Sequence, residues 1–160
     1  MTDRSTSHGT FVVERVLDAS PARVFAAFAT PEGKDRWFAC PGDQTREIRE
    51  MDFREGGHER VRGVWPGGSS DFRATYHDIV PDRRIVYSYE MFNNEARISV
   101  SLATILIAPE GKGARLTFTE QGVFVDHDPA GQMGVASREH GTNLLMDQLT
   151  AALARDHAQA

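Results

Sequence analysis

Residues 137–156, SREHGTNLLMDQLTAALARD, form the longest helix-periodic stretch of a chain in which nearly everything upstream reads as strand. Gly141, Leu145, Leu149 and Leu153 recur every four residues, with Thr142, Met146 and Ala152 beside them. That spacing lays an apolar stripe along one side of a helix. Arg138, Glu139, Asp147, Gln148, Arg155 and Asp156 fall mostly off the stripe. Antiparallel strands with one apolar face need a cover, and this helix is the candidate for it.

The upstream pattern begins with Thr10–Leu17, rich in β-branched and aromatic residues and read as a first strand. Ser20-Pro21 then opens a short helix, with Ser20 as cap and Pro21 at the first helical position. Val24, Phe25 and Phe28 form its buried side. Thr30-Pro31-Glu32 repeats the start signal, so a second short helix is expected to reach Trp37-Phe38 and to close at Pro41-Gly42.

From Arg46 to Gln121 the period changes to two. Runs at 47–53, 60–65, 72–77, 87–91, 98–108 and 115–121 are separated by Gly56-Gly57, Pro66-Gly67-Gly68-Ser69-Ser70, Pro81-Asp82-Arg83 and Pro109–Gly113. The run at 98–108 is apolar on both faces from Leu102 onward, which leaves its inner side unassigned. Residues 125–136 read as a loop or irregular helix entry, with Asp128-Pro129 able to cap an extra turn. The expected organisation is a tail at 1–9, one α+β domain at 10–156 with six or seven antiparallel strands, and a tail at 157–160.

Composition excludes several classes. A chain of 160 residues with 40% hydrophobic and 26% charged residues is one ordinary globular domain. Its net charge of −5 argues against a nucleic-acid binder. Nothing approaches the ~20 apolar residues of a membrane span, and the polar start MTDRSTSHGT is not signal-like, so a cytoplasmic protein is expected. Cys40 is the single cysteine, which leaves no intrachain disulfide and no cysteine-rich zinc site. With no histidine near it in sequence, Cys40 reads as an inert thiol.

Five stretches occur in an order that resembles a known superfamily. They are Asp18-Ala19 with Val24-Phe25, Pro31-Glu32 with Trp37-Phe38, and Glu50-Met51-Asp52-Phe53-Arg54-Glu55-Gly56-Gly57. Tyr76–Tyr87 and Thr117–Gly122 follow, ahead of the Leu145–Leu153 helix. Together they resemble the START-like, or SRPBCC, helix-grip proteins, particularly the branch of the activator of the heat-shock chaperone ATPase. The resemblance implies a curved antiparallel sheet wrapped around the C-terminal helix, with an apolar cavity between them. It also implies a choice of roles, since members bind lipids, hormones or polyketides, or assist chaperones. One departure is local. The family often opens the last helix with Gly-Trp, whereas here Gly141 is followed by Thr142.

Candidate site residues follow from these faces. Tyr76, Tyr87 and Tyr89 share the expected concave side, and tyrosines give an apolar wall with polar tips. Trp65, Phe118, Leu145 and Leu149 complete the expected ligand wall, with Trp65 alternatively bracing its hairpin and Trp37 belonging to the core. Glu120 lies in phase with Leu116 and Phe118. It is either a cavity carboxylate of raised pKa, able to serve as acid or base, or a strand-end group solvated or paired with an arginine.

His77-Asp78 is not a catalytic pair, because neighbouring strand residues point to opposite faces. Asp126-His127-Asp128 lacks a partner for metal binding, and no zinc, P-loop, dinucleotide or nucleophile-elbow motif is present. No cofactor or metal is therefore expected. The leading reading is a binder of a small apolar or aromatic molecule. The alternatives are a polyketide cyclase- or dehydratase-like enzyme using Glu120 and a tyrosine, and a module that contacts a chaperone. A homodimer is a further expected partner state.

Overall fold

The computed structural model describes residues 4–38, 44–126 and 134–158. Cys40, Pro41-Gly42, His127-Asp128 and Pro129 lie outside the described residues. The chain runs as β1 (Ser5–Leu17), α1 (Pro21–Ala29), α2 (Pro31–Asp35), β2 (Thr45–Met51), β3 (His58–Trp65), β4 (Gly68–Val80) and β5 (Arg84–Asn93). It continues as β6 (Ala96–Glu110), β7 (Gly113–Asp126) and α3 (Val135–Ala158). Seven antiparallel strands form one curved sheet in the order β1-β7-β6-β5-β4-β3-β2, so consecutive strands meander while β1 joins the far edge. This is the α+β helix-grip arrangement, with α1 and α2 carrying the chain from one sheet edge to the other.

β1 starts at Ser5, well ahead of Thr10, because its backbone pairs with β7 as far as Asp126. Ladder hydrogen bonding ignores side-chain polarity, so this polar extension left no period-two signal. The inner face of β6 is Ser99, Ser101, Ala103, Ile105 and Ile107, all buried; Val100, Leu102 and Leu106 face out and are 40–45% exposed. In α3 the buried residues are Thr142, Met146, Leu149, Ala152 and Leu153, whereas Leu144 is 50% exposed. The apolar stripe therefore faces the sheet.

Capping sets the two short helices. Ser20 Oγ accepts from Arg23 N at 3.2 Å, and Thr30 Oγ1 accepts from Gly33 N at 3.0 Å, with Pro21 and Pro31 at the first helical positions. The buried side of α1 is Val24, Ala27 and Phe28, with Phe25 only partly buried against the core. α2 ends at Asp35, short of Trp37. Gly33 lets α2 close on α1: a Cβ there would sit 2.6 Å from Ala26 O. That approach swings Lys34 inward, leaving it only 3% exposed. Beyond α2, Trp37 is anchored by its Nε1–H, which donates to Ala27 O at 2.9 Å, and its ring packs edge-on to Phe28.

A pocket walled by aromatic rings and two buried ion pairs

Between sheet and helices lies a pocket of about 200 Å³. Lys34, Trp37 and Phe38 enter it from the α2 segment, Phe72, Tyr87, Tyr89, Met91 and Phe118 from the sheet. Arg138, Gly141, Thr142, Leu145 and Met146 enter from α3. Edge-to-face and tilted contacts run Phe38–Phe72–Tyr89–Tyr87 with ring centroids 5.0–5.8 Å apart. Gly141 leaves room, since a Cβ there would meet nothing within 4 Å. At the position where the family often carries an indole, Thr142 also lines the pocket.

Four of the sequence-derived wall residues, Tyr87, Tyr89, Phe118 and Leu145, come together at this pocket. Tyr76 and Leu149 are buried but pack outside it. Trp65 is half-buried at the β3–β4 hairpin, packed so closely on Gly68 that a Cβ there would fall 2.6 Å from its ring. It braces the turn, and Trp37 is the indole at the pocket. His77 is exposed on the outer face, where its Nε2 meets Ser88 Oγ at 2.7 Å.

Glu120 is neither solvated nor at the strand end. It is 1% exposed, near the middle of β7, and does not itself line the pocket. Tyr89 donates to its Oε1 at 2.6 Å, while Ser101 and Arg138 donate to Oε2 at 2.9 and 3.0 Å. Arg138 also donates to the Tyr89 hydroxyl at 2.6 Å and to Ser99 Oγ at 2.7 Å. The helical reading placed Arg138 mostly off the stripe. It in fact continues the stripe by one turn, spaced i+3 and i+4 from Gly141 and Thr142, and turns its guanidinium onto the sheet. Burial works against the Arg138 charge, but Tyr89 and Glu120 outweigh it and raise its pKa.

The domain holds a second buried ion pair. Lys34 Nζ donates to Glu59 Oε1 at 2.5 Å, with side-chain exposures of 4% and 0%. Tyr76 donates to the same oxygen at 2.8 Å, and Arg49 Nη1 to Glu59 Oε2 at 3.0 Å. The Lys34 ammonium also lies 5.0–5.7 Å from the ring centres of Phe38, Phe72 and Tyr87. A signal for Glu59 existed: it is in phase with buried Val61, so it faces inward. Lys34 gave none, sitting in the polar run Glu32-Gly33-Lys34-Asp35.

Burial pushes the pKa of all three tyrosines up, reinforced by the carboxylates: Glu59 for Tyr76, and Glu120 for Tyr89. Two hydroxyls are spent on those carboxylates. Among the described residues the Tyr87 hydroxyl has no hydrogen-bond partner, and its side chain lines the pocket. No group of three or more His, Cys, Asp or Glu among the described residues is placed to hold a metal ion. No described helix is long and apolar enough to cross a membrane.

A seven-stranded sheet gripping a C-terminal helix over an aromatic pocket defines the SRPBCC, or START-like, class. Within it, the profile of the Activator of Hsp90 ATPase homolog 1-like proteins matches residues 18–154, and the chain belongs to that family. No curated protein is significantly similar to it. Among solved structures, a protein of Rhizobium leguminosarum is 43% identical over 96% of this chain and 99% of its own, with a TM-score of 0.87. One from Rhizobium loti is 40% identical over 92% and 99%, with a TM-score of 0.80. The solution structure of an AHSA1-like protein from Aeromonas hydrophila shares the fold at 16% identity, covering 93% and 94%, with a TM-score of 0.69.

Proposed function

We propose that this protein binds a small apolar or aromatic molecule in the pocket between its sheet and last helix. The observation that carries this reading is the Tyr87 hydroxyl, without a hydrogen-bond partner among the described residues, in a wall that is mostly aromatic and aliphatic. Apolar walls with few polar groups are the usual make-up of small-molecule sites. The volume of about 200 Å³ lies below the ~300–1,000 Å³ of pockets for drug-sized ligands, which favours a small occupant. Glu120 is held by three donors and lies behind the wall, which weighs against its use as an acid or base and supports a structural part for it. Native mass spectrometry of the purified protein tests the reading through any co-purified small molecule, and a thermal-shift screen of small aromatic compounds follows it. An intact mass without ligand, together with no shifted melt, overturns it.

A second reading rests on the outer face of the sheet. Val12 and Val16 on β1 and Val100, Leu102 and Leu106 on β6 are 40–60% exposed there. Exposed apolar side chains in two rows on one face, with β7 between them, favour a protein partner, and the family supports a chaperone ATPase as its type. Unchanged chaperone ATPase activity on adding this protein counts against it.

A further inference from the structure

Among the described residues, every charged side chain that lines the pocket is a cation. Lys34 and Arg138 reach it, while their carboxylate partners, Glu59 and Glu120, stand behind them. This runs against the overall charge of −5. We propose that the ligand carries an anionic head group, a carboxylate, received by the Lys34 ammonium with the Tyr87 hydroxyl beside it, and an apolar body lying against Phe72, Phe118 and Leu145. The proposal deepens the small-molecule reading above and rests on it.

The two cations differ in what they can offer. Arg138 makes three hydrogen bonds, to Glu120, Tyr89 and Ser99, which tie α3 to the sheet and fix its guanidinium. Lys34 has three N–H donors, and only Glu59 Oε1 supplies it with an oxygen acceptor among the described residues. Its remaining N–H groups stand among the rings of Phe38, Phe72 and Tyr87, on the pocket side. Nor does Glu59 depend on Lys34 alone. Arg49 holds its Oε2 and Tyr76 its Oε1, and Arg49 is itself steadied by Asp35 at 2.8 Å. The ammonium can therefore share itself with a second carboxylate without leaving Glu59 unpaired in the interior, the outcome that makes broken buried pairs costly. A compact ammonium on a flexible stem suits such a shared contact better than a planar guanidinium fixed by a fork of bonds. The Tyr87 hydroxyl, kept protonated by burial, is a donor for the same head group.

The test compares matched acids and neutral analogues by isothermal titration calorimetry, with amide chemical shifts locating each ligand. Cinnamate against cinnamamide and octanoate against octanol serve as probes. The acids are expected to bind about tenfold or more tightly, the size of one well-placed charged contact, with shifts at Phe72, Tyr87 and Leu145. Lys34→Met should remove the preference, and Tyr87→Phe should reduce it while leaving the aromatic wall in place. If acids and neutral analogues bind there equally, the anionic head group is overturned and the small-molecule reading stands. If no probe perturbs the pocket, both fall. Binding of the acids elsewhere on the surface also overturns the proposal. Should Lys34→Met fail to fold, the wild-type ratio and Tyr87→Phe decide the outcome.

Discussion

Arg138 Nη1 lies 3.0 Å from Glu120 Oε2, joining the first turn of α3 to the middle of β7 across the floor of the domain. Both groups are largely out of water, with side-chain exposures of 16% and 1%. Removing one partner of such a pair leaves a buried charge uncompensated, at a cost of roughly 3–5 kcal/mol. Arg138→Met should therefore lower the urea midpoint strongly. The double variant Arg138→Met, Glu120→Gln should recover much of the loss, because a neutral amide can keep the Tyr89 and Ser101 contacts. A double variant no better than the single one would show that the charge is not what matters.

The stripe of α3 gives a second contrast. Leu149 is 1% exposed against the sheet and Leu144 is 50% exposed. Leu149→Ala is expected to cost about 2–5 kcal/mol from lost burial plus the cavity left behind, and Leu144→Ala about 0.5 kcal/mol or less. Denaturant melts with equal losses at both positions would contradict the facing of this helix.

Much of this is legible in the sequence alone. Period-two alternation and turn residues gave the strands, and the four-residue spacing of Gly141, Leu145, Leu149 and Leu153 gave the helix and its buried side. Both signals are local and backbone-driven, so they survive in a single sequence. The site was legible only where it is apolar. Tyr87, Tyr89, Phe118 and Leu145 share faces that alternation reveals; Trp65 takes the hairpin-bracing alternative, and Trp37, a core residue as expected, also lines the pocket. The packing that decides which indole meets the pocket is set by Gly33 and Gly68, one closing α2 on α1 and the other seating Trp65 on its hairpin. The ion pairs were the least legible part. Lys34 meets Glu59 25 residues along the chain, through a helix swung inward at a glycine, and no residue-type pattern encodes that meeting.

The three tyrosines of the chain, Tyr76, Tyr87 and Tyr89, are all buried, with pKa values raised above the ordinary 10.0. A group whose folded pKa is raised contributes stability that is present below the unfolded value and lost as pH climbs beyond it. Phenolate absorbance should therefore stay near zero in the native protein through pH 10 and then appear in one cooperative step with loss of near-ultraviolet circular dichroism. Gradual phenolate formation in a protein still folded would mean that at least one ring is solvated.

Asp71 gives the acid limb. It is 1% exposed on the outer side of β4; burial alone would raise its pKa, but the guanidinium groups of Arg60 and Arg73 hold it below the ordinary 3.8. A depressed folded pKa contributes stability above the unfolded value, and that stability is lost as pH falls from there through the folded value. Wild type should lose stability steeply below pH of about 4, while Asp71→Asn should start less stable at neutral pH and show a shallower acid limb. Parallel limbs would assign the acid sensitivity to other carboxylates.

The pocket itself can be filled. Gly141 and Thr142 line it from α3, and a Cβ on Gly141 would meet nothing within 4 Å. Gly141→Ala adds a methyl where there is space and removes a helix-weakening glycine, so it should stabilise the fold by about 0.5–1 kcal/mol. Thr142→Trp places an indole where the family often carries one. The added bulk has the pocket to enter, so the cost should stay within the roughly 1–3 kcal/mol of overpacking, while the volume left for a ligand shrinks. Any small molecule that raises the melting temperature of the wild type should then lose most of its effect on Thr142→Trp, because stabilisation by a ligand requires that the folded state still bind it. Trp37 emission, which reports from the same wall, should stop responding to that ligand as well. A folded Thr142→Trp protein that binds as tightly as wild type would place the ligand somewhere other than this pocket.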